Sequence, residues 1–266
     1  MIKLLTECYI LANCLEKIDQ ILTQFEPITL KEMDGVALLN RVDTKFITDI
    51  DTLASVLEEV SNDYRVLQIE NLRKNSYETL YYDTPELLFY HSHHRGKVNR
   101  YKFRKRKYVE SDLSFLEIKF KNNKKRTIKN RMEIDGIEMD MNDESMDYVK
   151  DISEMELNLQ PMLLNRFSRI TLVNKTHPER LTIDLNLSFD DNGEVIALNK
   201  LVIVEAKQEK IWRGTAFLKA LKKRLVRKSR ISKYCLGMAL TRKDLKQNNF
   251  KQRIKKINRI ENGTAA

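Results

Sequence analysis

The residues best suited to chemistry lie in the stretch RYKFRKRKY, residues 100–108, where Arg100, Lys102, Arg104 and Arg106 occupy alternate positions. Alternate side chains of a β-strand point to the same face, so this spacing predicts one row of like charges. Arginine forks and lysine ammonium groups both bind phosphate oxygens well. The stretch therefore predicts a strand that binds an anion.

The charge of the whole chain favours the same kind of partner. The 266 residues include 48 Lys and Arg against 38 Asp and Glu, a formal net charge of +10. Between residues 95 and 131 there are fifteen Lys and Arg and only three acids. Phosphate loops, GxGxxG turns, kinase catalytic-loop motifs and GxSxG elbows are absent from the sequence. An anionic partner is expected, held by side chains and not by a glycine-rich loop.

Carboxylates recur beside cations on several other predicted strands. In FLEIKFK, Glu117 alternates with Lys119 and Lys121 on one face, and in LVIVEAK, Glu205 shares a face with Lys207. RLTIDLNLSF places Asp184 on the polar face, with its apolar face formed by Leu181, Ile183, Leu185, Leu187 and Phe189. Hard oxygen ligands such as Glu205, with Glu117 or Asp184, suit Mg²⁺ or Mn²⁺.

The elements that must position these residues are strands with several helices around them. Apolar periodicity predicts a leading helix over residues 3–25 and a short one over ITLKEMDGVALL. WRGTAFLKALKKRLVRKS and the tail 242–259 are predicted to be basic helices, and the acidic stretch 133–156 a connector containing a helix. We predict an α+β protein with a helical segment (residues 1–40), a main domain (41–240) and a basic tail (241–266).

Two architectures fit the charged strand faces. A sheet could lie on helices with its charged face open to water, as in many nucleic-acid-binding folds. Alternatively, the strands could close into a barrel with the charges inside, which also removes exposed sheet edges. The second arrangement requires a strongly anionic content, because crowded like charges are costly without a counter-ion.

Nine segments, in order from about residue 41 to residue 240, carry a resemblance to a known family: RVDTKF, YYDT, LLFYHSHHRG, RYKFRKRKY, FLEIKFK, NRFSRITLV, RLTIDLNLSF, LVIVEAK and RISKYCLG. They resemble the polyphosphate polymerase domain of the vacuolar transporter chaperone (VTC) family, one of the CYTH-like triphosphate tunnel metalloenzymes. The chain is similar to a bacterial-type stand-alone member. The resemblance implies a closed, antiparallel eight-stranded barrel with a charged lumen and helices outside.

The resemblance also implies roles for individual residues. The catalytic set is expected to comprise Lys45, Arg104, Arg106, Lys119, Arg169 and Arg180, and Glu205 is the expected metal ligand, with Glu117 and Asp184 as further candidates. The expected phosphate-binding set comprises Arg41, Arg100, Lys102, Lys121, Lys207, Arg230, Lys233 and His93. The chain departs from the family at His91, His93 and His94, which replace an arginine, and at Asp43, a single acid where hydrolytic relatives have paired glutamates.

The implied activity is transfer of the ATP γ-phosphoryl group to a growing polyphosphate chain, with Mn²⁺ or Mg²⁺. Two alternatives remain: a triphosphate or polyphosphate hydrolase, and a non-catalytic module that binds polyphosphate or RNA. ATP and inorganic polyphosphate are the expected partners, without sequence-specific nucleic acid, and no membrane or regulatory partner is identified. The odd number of cysteines and the absence of an apolar run of about 18 residues predict a cytoplasmic protein without a transmembrane segment.

Overall fold

The computed structural model describes residues 2–34, 41–124 and 126–263. The last part of the predicted second helix, residues 35–40, lies outside these ranges. The strands are β1 (Glu26–Ile28), β2 (Val42–Asp49), β3 (Tyr64–Leu67), β4 (Asn75–Asp83), β5 (Arg100–Tyr108), β6 (Leu113–Lys121), β7 (Thr127–Ile134), β8 (Gln160–Asn174), β9 (Glu179–Asp191), β10 (Glu194–Leu198) and β11 (Leu201–Gln208). The helices are α1 (Ile2–Leu22), α2 (Leu30–Asp34), α3 (Ile50–Val60), α4 (Leu88–His94), α5 (Asp143–Ser153), α6 (Ala216–Lys223), α7 (Lys233–Thr241) and α8 (Lys251–Asn262), with a short 3₁₀ turn at Asn248–Phe250.

The α+β prediction is confirmed: one large, mainly antiparallel sheet is flanked by helices. Eight strands follow one another in the order β2-β11-β9-β8-β4-β5-β6-β7, and β1, β3 and β10 are attached at its side. None of the helices in the described ranges is long and apolar enough to cross a membrane. The three-segment division of the chain stays a prediction.

The expected closed barrel is wrong, because within the described residues β2 and β7 form the two ends of the strand order and do not pair. The outer edge of β2 has another neighbour. Phe46 forms an isolated bridge with Lys228, and the Ser229 N–H donates to the carbonyl of Lys45 over 2.7 Å. The segment that follows α6 therefore occupies the edge through which β2 would have paired to close the barrel.

The sheet is nevertheless strongly curled. Lys45 on β2 and Lys102 on β5 are separated by four intervening strands, which in a flat sheet corresponds to roughly 24 Å. Yet Lys45 is among the cations that lower the pKa of Lys102. The sheet therefore curves so that β2 approaches β5 across one face. We call this concave side the charged face and the opposite side the outer face.

Helices cover the outer face with apolar side chains. Helices α1, α3 and α6 pack on the outer sides of β8, β9 and β11, where Ile170, Ile183 and Val204 are fully buried. Helix α5 covers β5 and β6 around Phe103 and Ile118. The apolar alternation read from these strands therefore holds the sheet against its helices.

A third apolar cluster lies on the charged side, where α4, α7 and α8 fill one end of the curl. Gly237 of α7 permits this packing, since a Cβ there would lie 2.4 Å from Leu163 and 2.5 Å from Phe189. The charged face is thus closed off by helices at this end of the sheet. A bulkier residue at position 237 would push α7 away from β8 and β9.

Two local predictions are wrong for identifiable reasons. Asn186 has a positive φ of 51°, and the β8–β9 register shifts beside it, so Leu187 and Phe189 pack on the charged side and not with Leu185. This β-bulge exchanges the faces of the residues that follow it. The basic helix predicted from Trp212 to Ser229 is longer than the observed one. Helix α6 ends at Lys223, and Leu225 has a left-handed backbone conformation with a φ of 57°.

Candidate functional site

The charged face is built from side chains of strands in both halves of the curled sheet. Arg104 lies opposite Tyr81 on β4 and opposite Glu117 on β6, so the even-numbered residues of β5 share a face with the odd-numbered residues of β6. Across the sheet, Glu205 lies opposite Lys45 and Thr182. The predicted alternation of RYKFRKRKY is therefore the observed one. Lys105 and Lys107 point to the outer face.

One group of charges is centred on Glu117, whose side chain is inaccessible to water. Its carboxylate accepts from Arg104 Nε over 2.6 Å and forms an ion pair with Lys129 of β7. Burial raises the pKa of Glu117, but the cations around it outweigh burial and hold that pKa well below its usual range. Glu117 therefore stays ionised and orients Arg104.

A second group joins β8, β9 and α7. Arg169 donates to both oxygens of Asp184, over 2.6 and 2.9 Å, and Lys233 Nζ lies 2.8 Å from Asp184 Oδ2. Burial opposes ionisation of Asp184, but these two cations lower its pKa well below the usual value. Burial lowers the pKa of Lys233 as well, in part offset by Asp184. Asp184 therefore brings Lys233, from a helix, onto the charged face beside Arg169.

Glu205 forms the third group with Lys45, its ion-pair partner on β2, and with Lys207, whose Nζ lies 3.4 Å away. Lys207 Nζ also donates to Thr182 Oγ over 3.0 Å. Burial lowers the pKa of Lys207 to about 8, with further lowering by Arg169, Arg180 and Lys45 and an opposing effect of Glu205. This lysine loses its charge closer to neutral pH than an exposed lysine does.

Three further cations of the charged face have fewer acidic partners. Arg106 Nε donates to Thr79 Oγ over 3.1 Å, and its pKa is lowered by burial and by Arg104. Burial and Arg104 likewise lower the pKa of Lys119. Arg180 lies at the start of β9, and its pKa is lowered by burial and by Arg41. These cations repel one another, so an anionic ligand would relieve a cost that the free protein carries.

Another part of the predicted phosphate-binding set lies at the opposite end of the charged face. Lys102 Nζ donates to Ser232 Oγ over 2.9 Å, and burial with neighbouring cations lowers its pKa to about 8. His93 packs against Phe250, and burial beside Lys102, Arg100 and other cations lowers its pKa to about 2. His93 is therefore neutral and can contact an anion only as a hydrogen-bond donor. Lys121 lies opposite Arg100 in the sheet, and the exposed Arg230 precedes α7.

Arg41 stands just before β2, where its Nε lies 3.1 Å from Asp43 Oδ1 on an exposed part of the chain. The structure thus gathers the predicted residues into a central site, flanked by Arg41 and Arg180 at one end and by the Arg100 group at the other. The central site contains Lys45, Arg104, Arg106, Glu117, Lys119, Arg169, Asp184, Glu205, Lys207 and Lys233.

Sequence reasoning missed two features of the central site. Lys129 of β7 is an ion-pair partner of Glu117 and lies opposite Lys119 in the β6–β7 register. The alternation of TIKNRMEI is the signal that could have placed Lys129 on this face. Tyr77 and Phe167 stack at 5.1 Å with an interplanar angle of 7°. Arg169 lies over both rings, and the Lys233 ammonium group lies 2.7 Å from the centroid of Phe167. Nothing in the spacing of the cations indicated this aromatic support.

The three candidate metal ligands differ in how far they fit a divalent cation. Both oxygens of Asp184 are bound by Arg169 and Lys233, and the Glu117 carboxylate is enclosed by Arg104 and Lys129. Glu205 is the most accessible, with 19% of its side chain exposed. In the described ranges no three His, Cys, Asp or Glu side chains come together. Of the three, Glu205 is therefore the carboxylate best placed for a divalent cation, which would need further ligands from outside the described residues.

Residues 40–242 match the VTC domain family, and this chain belongs to that family. The match includes every element of the charged face and ends before α8. The family expected from the sequence is therefore confirmed.

Comparison with individual proteins adds distant likenesses. No curated protein matches the sequence. A putative adenylate cyclase from Bacillus halodurans aligns with 73% of this chain and 94% of its own, at 11% identity and a TM-score of 0.48. The putative adenylyl cyclase HpAC1 from Hippeastrum aligns with 76% of this chain and 97% of its own, at 12% identity and a TM-score of 0.47. HpAC1 is described as having a dominant triphosphatase activity. PH1819 of Pyrococcus horikoshii aligns with 75% of this chain and 99% of its own, at 19% identity and a TM-score of 0.43. These likenesses are too distant to indicate the chemistry of this chain.

Proposed function

We propose that the charged face binds the phosphates of ATP and of inorganic polyphosphate, and that the protein is a polyphosphate polymerase. The observation that carries this proposal is the excess of cations over carboxylates. The central site has three carboxylates, Glu117, Asp184 and Glu205, and seven cations, Lys45, Arg104, Arg106, Lys119, Arg169, Lys207 and Lys233. Each carboxylate is held by two cations, and for Glu117 the second of these is Lys129 of β7, outside the seven. Membership of the VTC domain family supports a role connected with polyphosphate or triphosphate.

The proposed reaction requires positioning and charge neutralisation more than covalent catalysis. A terminal oxygen of the polyphosphate chain attacks the γ-phosphorus of ATP, and the bond from that phosphorus to the β-bridging oxygen breaks, so that ADP leaves. The acceptor phosphate is already ionised, so no side chain has to remove a proton. Arg104 and Arg106 on β5 and Arg169 on β8, with β4 between these strands, are placed to hold equatorial phosphate oxygens. Lys45 and Lys207 add charge from β2 and β11.

A divalent metal, when bound, would supply charge neutralisation for the phosphates. Glu205 is the residue proposed to hold it. Because Lys45 and Lys207 contact the same carboxylate in the free protein, metal binding at Glu205 would require these lysines to turn towards phosphate.

Incubation of the purified protein with ATP and Mn²⁺ or Mg²⁺ tests the proposal. A ladder of long polyphosphate on a gel, with ADP in equal amount to the phosphoryl groups incorporated, is the expected result. Free phosphate without polymer would instead support the hydrolase. Glu205→Gln should abolish polymer formation while keeping affinity for inorganic triphosphate, and Glu133→Gln, on the exposed part of β7, serves as a matched control.

A further inference from the structure

Four aromatic side chains form a row across the charged face: Phe167 on β8, Tyr77 on β4, Tyr108 on β5 and Phe115 on β6. Neighbouring ring centroids are 5.1 Å apart from Phe167 to Tyr77, 5.1 Å from Tyr77 to Tyr108 and 5.9 Å from Tyr108 to Phe115. We call these residues the aromatic row. Inorganic phosphate chains have no apolar surface that such a row could contact.

The two halves of the aromatic row have different surroundings. Phe167 and Tyr77 are buried, and their faces are covered by Arg106, Arg169 and Lys233. Phe167 and Tyr77 therefore have a role without any ligand, because their rings pack against these cations.

Tyr108 and Phe115 remain half-buried. The exposed Arg131 lies over Phe115 at 4.7 Å, and none of the cation–π contacts in the described part of the chain involves Tyr108. Cation support therefore does not account for Tyr108.

The half-buried part of the aromatic row, Tyr108 and Phe115, adjoins the arginines proposed to bind phosphate. Arg106 lies two residues before Tyr108 on the same face and opposite Phe115 in the β5–β6 register. A ligand whose phosphates bind at Arg106 can therefore place an aromatic group against Tyr108 and Phe115. An arginine over an aromatic ring, as at Arg131 and Phe115, is also a common setting for a nucleobase.

We propose that Tyr108 and Phe115, with Arg131, bind the base of a nucleoside triphosphate and so favour this donor over inorganic triphosphate. The inference rests on the proposed function, because it assumes that phosphates bind at Arg104 and Arg106. Stacking of a base on an aromatic side chain changes affinity by roughly 5- to 150-fold. The effect falls on ligands that carry a base and leaves inorganic triphosphate unaffected.

The test is the ratio of two dissociation constants, for ATP and for inorganic triphosphate, measured by calorimetry on the full chain. Tyr108→Leu and Phe115→Leu should each weaken ATP binding roughly 10-fold and change triphosphate binding by less than about 2-fold. Tyr108→Phe, which keeps the ring, should retain the affinity of the native protein for ATP.

Tyr101→Leu is the matched control. Tyr101 lies on the same strand, but on the outer face, where it stacks on Phe120 at 4.5 Å. It should leave both dissociation constants unchanged. Thermal unfolding of each variant verifies that the fold is retained.

Equal weakening of ATP and triphosphate by Tyr108→Leu and Phe115→Leu would show that the whole row only supports cations, and would overturn the inference. Unchanged affinities for both ligands would overturn it as well. The measurement does not depend on turnover. A protein that binds ATP but makes no polyphosphate would refute the proposed polymerase and leave the ratio test valid.

Discussion

Lys102 and Lys105 lie three residues apart on β5 and point to opposite faces of the sheet. Lys105, buried on the outer face, donates to the carbonyl oxygens of Glu138 and Asp140 over 3.2 and 2.7 Å. Lys102, on the charged face, has the Ser232 hydroxyl as its hydrogen-bond acceptor. Its pKa is lowered first by burial and further by the cations Lys45, Arg100 and Arg104.

The comparison shows that burial alone does not mark a functional lysine. The charge of Lys105 is satisfied by backbone oxygens and anchors a loop. The charge of Lys102 is opposed by its neighbours, and a bound anion would satisfy it. Unsatisfied positive charge thus distinguishes the charged face from the outer face.

The largest expected effect comes from removing the negative charge that holds the charged face together. Glu117→Gln leaves Arg104, Lys119 and Lys129 close together without their carboxylate. We expect a loss of about 3–5 kcal/mol in the free energy of unfolding, since one partner of a buried ion pair is removed. Urea unfolding measures it.

Glu133→Gln, an exposed acid of β7, is the control and should change this free energy by less than about 0.5 kcal/mol. A loss for Glu117→Gln no greater than the control would contradict the central role of Glu117.

The next largest effect separates the two lysines. Lys102→Met should weaken binding of inorganic triphosphate roughly 10-fold, because a charged contact to phosphate is lost, and should raise stability because a disfavoured charge is removed. Lys105→Met should lower stability through loss of two hydrogen bonds and leave affinity unchanged. Calorimetric titration and thermal unfolding measure the two properties. Equal effects of the two substitutions on affinity would remove the distinction between the faces.

A smaller effect is expected from pH. The pKa values of Lys102 and Lys207 are lowered to about 8, so these side chains lose their charge as pH rises through 8. Triphosphate affinity should fall several-fold between pH 7 and pH 9, and binding at pH 8 should take up protons because the ligand restores the charged form. Calorimetry in buffers of different ionisation enthalpy detects this uptake.

The effect of pH on the stability of the free protein has the opposite sign. Between pH 8 and about 10.5 the unfolded chain binds more protons at these two lysines than the folded protein does, so stability should rise with pH over that interval. Lys102→Met should reduce both pH effects. A triphosphate affinity that is flat between pH 7 and pH 9 would show that the two lysines titrate in their ordinary range.

Much of the charged face could be predicted because strand alternation is a local property. Arg104, Glu117 and Glu205 were placed correctly, since each lies in a regular strand whose two faces differ in polarity. Three features could not be predicted from alternation: a β-bulge, the open barrel and the aromatic support. The bulge at Asn186 exchanged the faces of Leu187 and Phe189 through a backbone angle that does not appear in a polarity pattern.

The closed barrel failed for a different reason. The segment after α6 covers the edge of β2 through backbone groups, and backbone pairing leaves little trace in side-chain type. The aromatic support beneath Arg169 and Lys233 also escaped detection, because Tyr77 and Phe167 lie on different strands and meet only through the β4–β8 register. The roles assigned to individual site residues stay predictions.

Helix α8 lies beyond the region shared with the family, yet it is attached to the strand that carries Glu205. The Glu261 carboxylate accepts from the backbone N–H groups of Asn199, Lys200 and Leu201, at the start of β11. Lys256 Nζ donates to the carbonyl of Ile47 on β2, and Ile257 is fully buried. A fragment truncated at residue 242, where the family match ends, would lose these hydrogen bonds and expose the apolar surface on which Ile257 packs. The family match therefore ends before a helix that supports β2 and β11, the strands that carry Lys45 and Glu205.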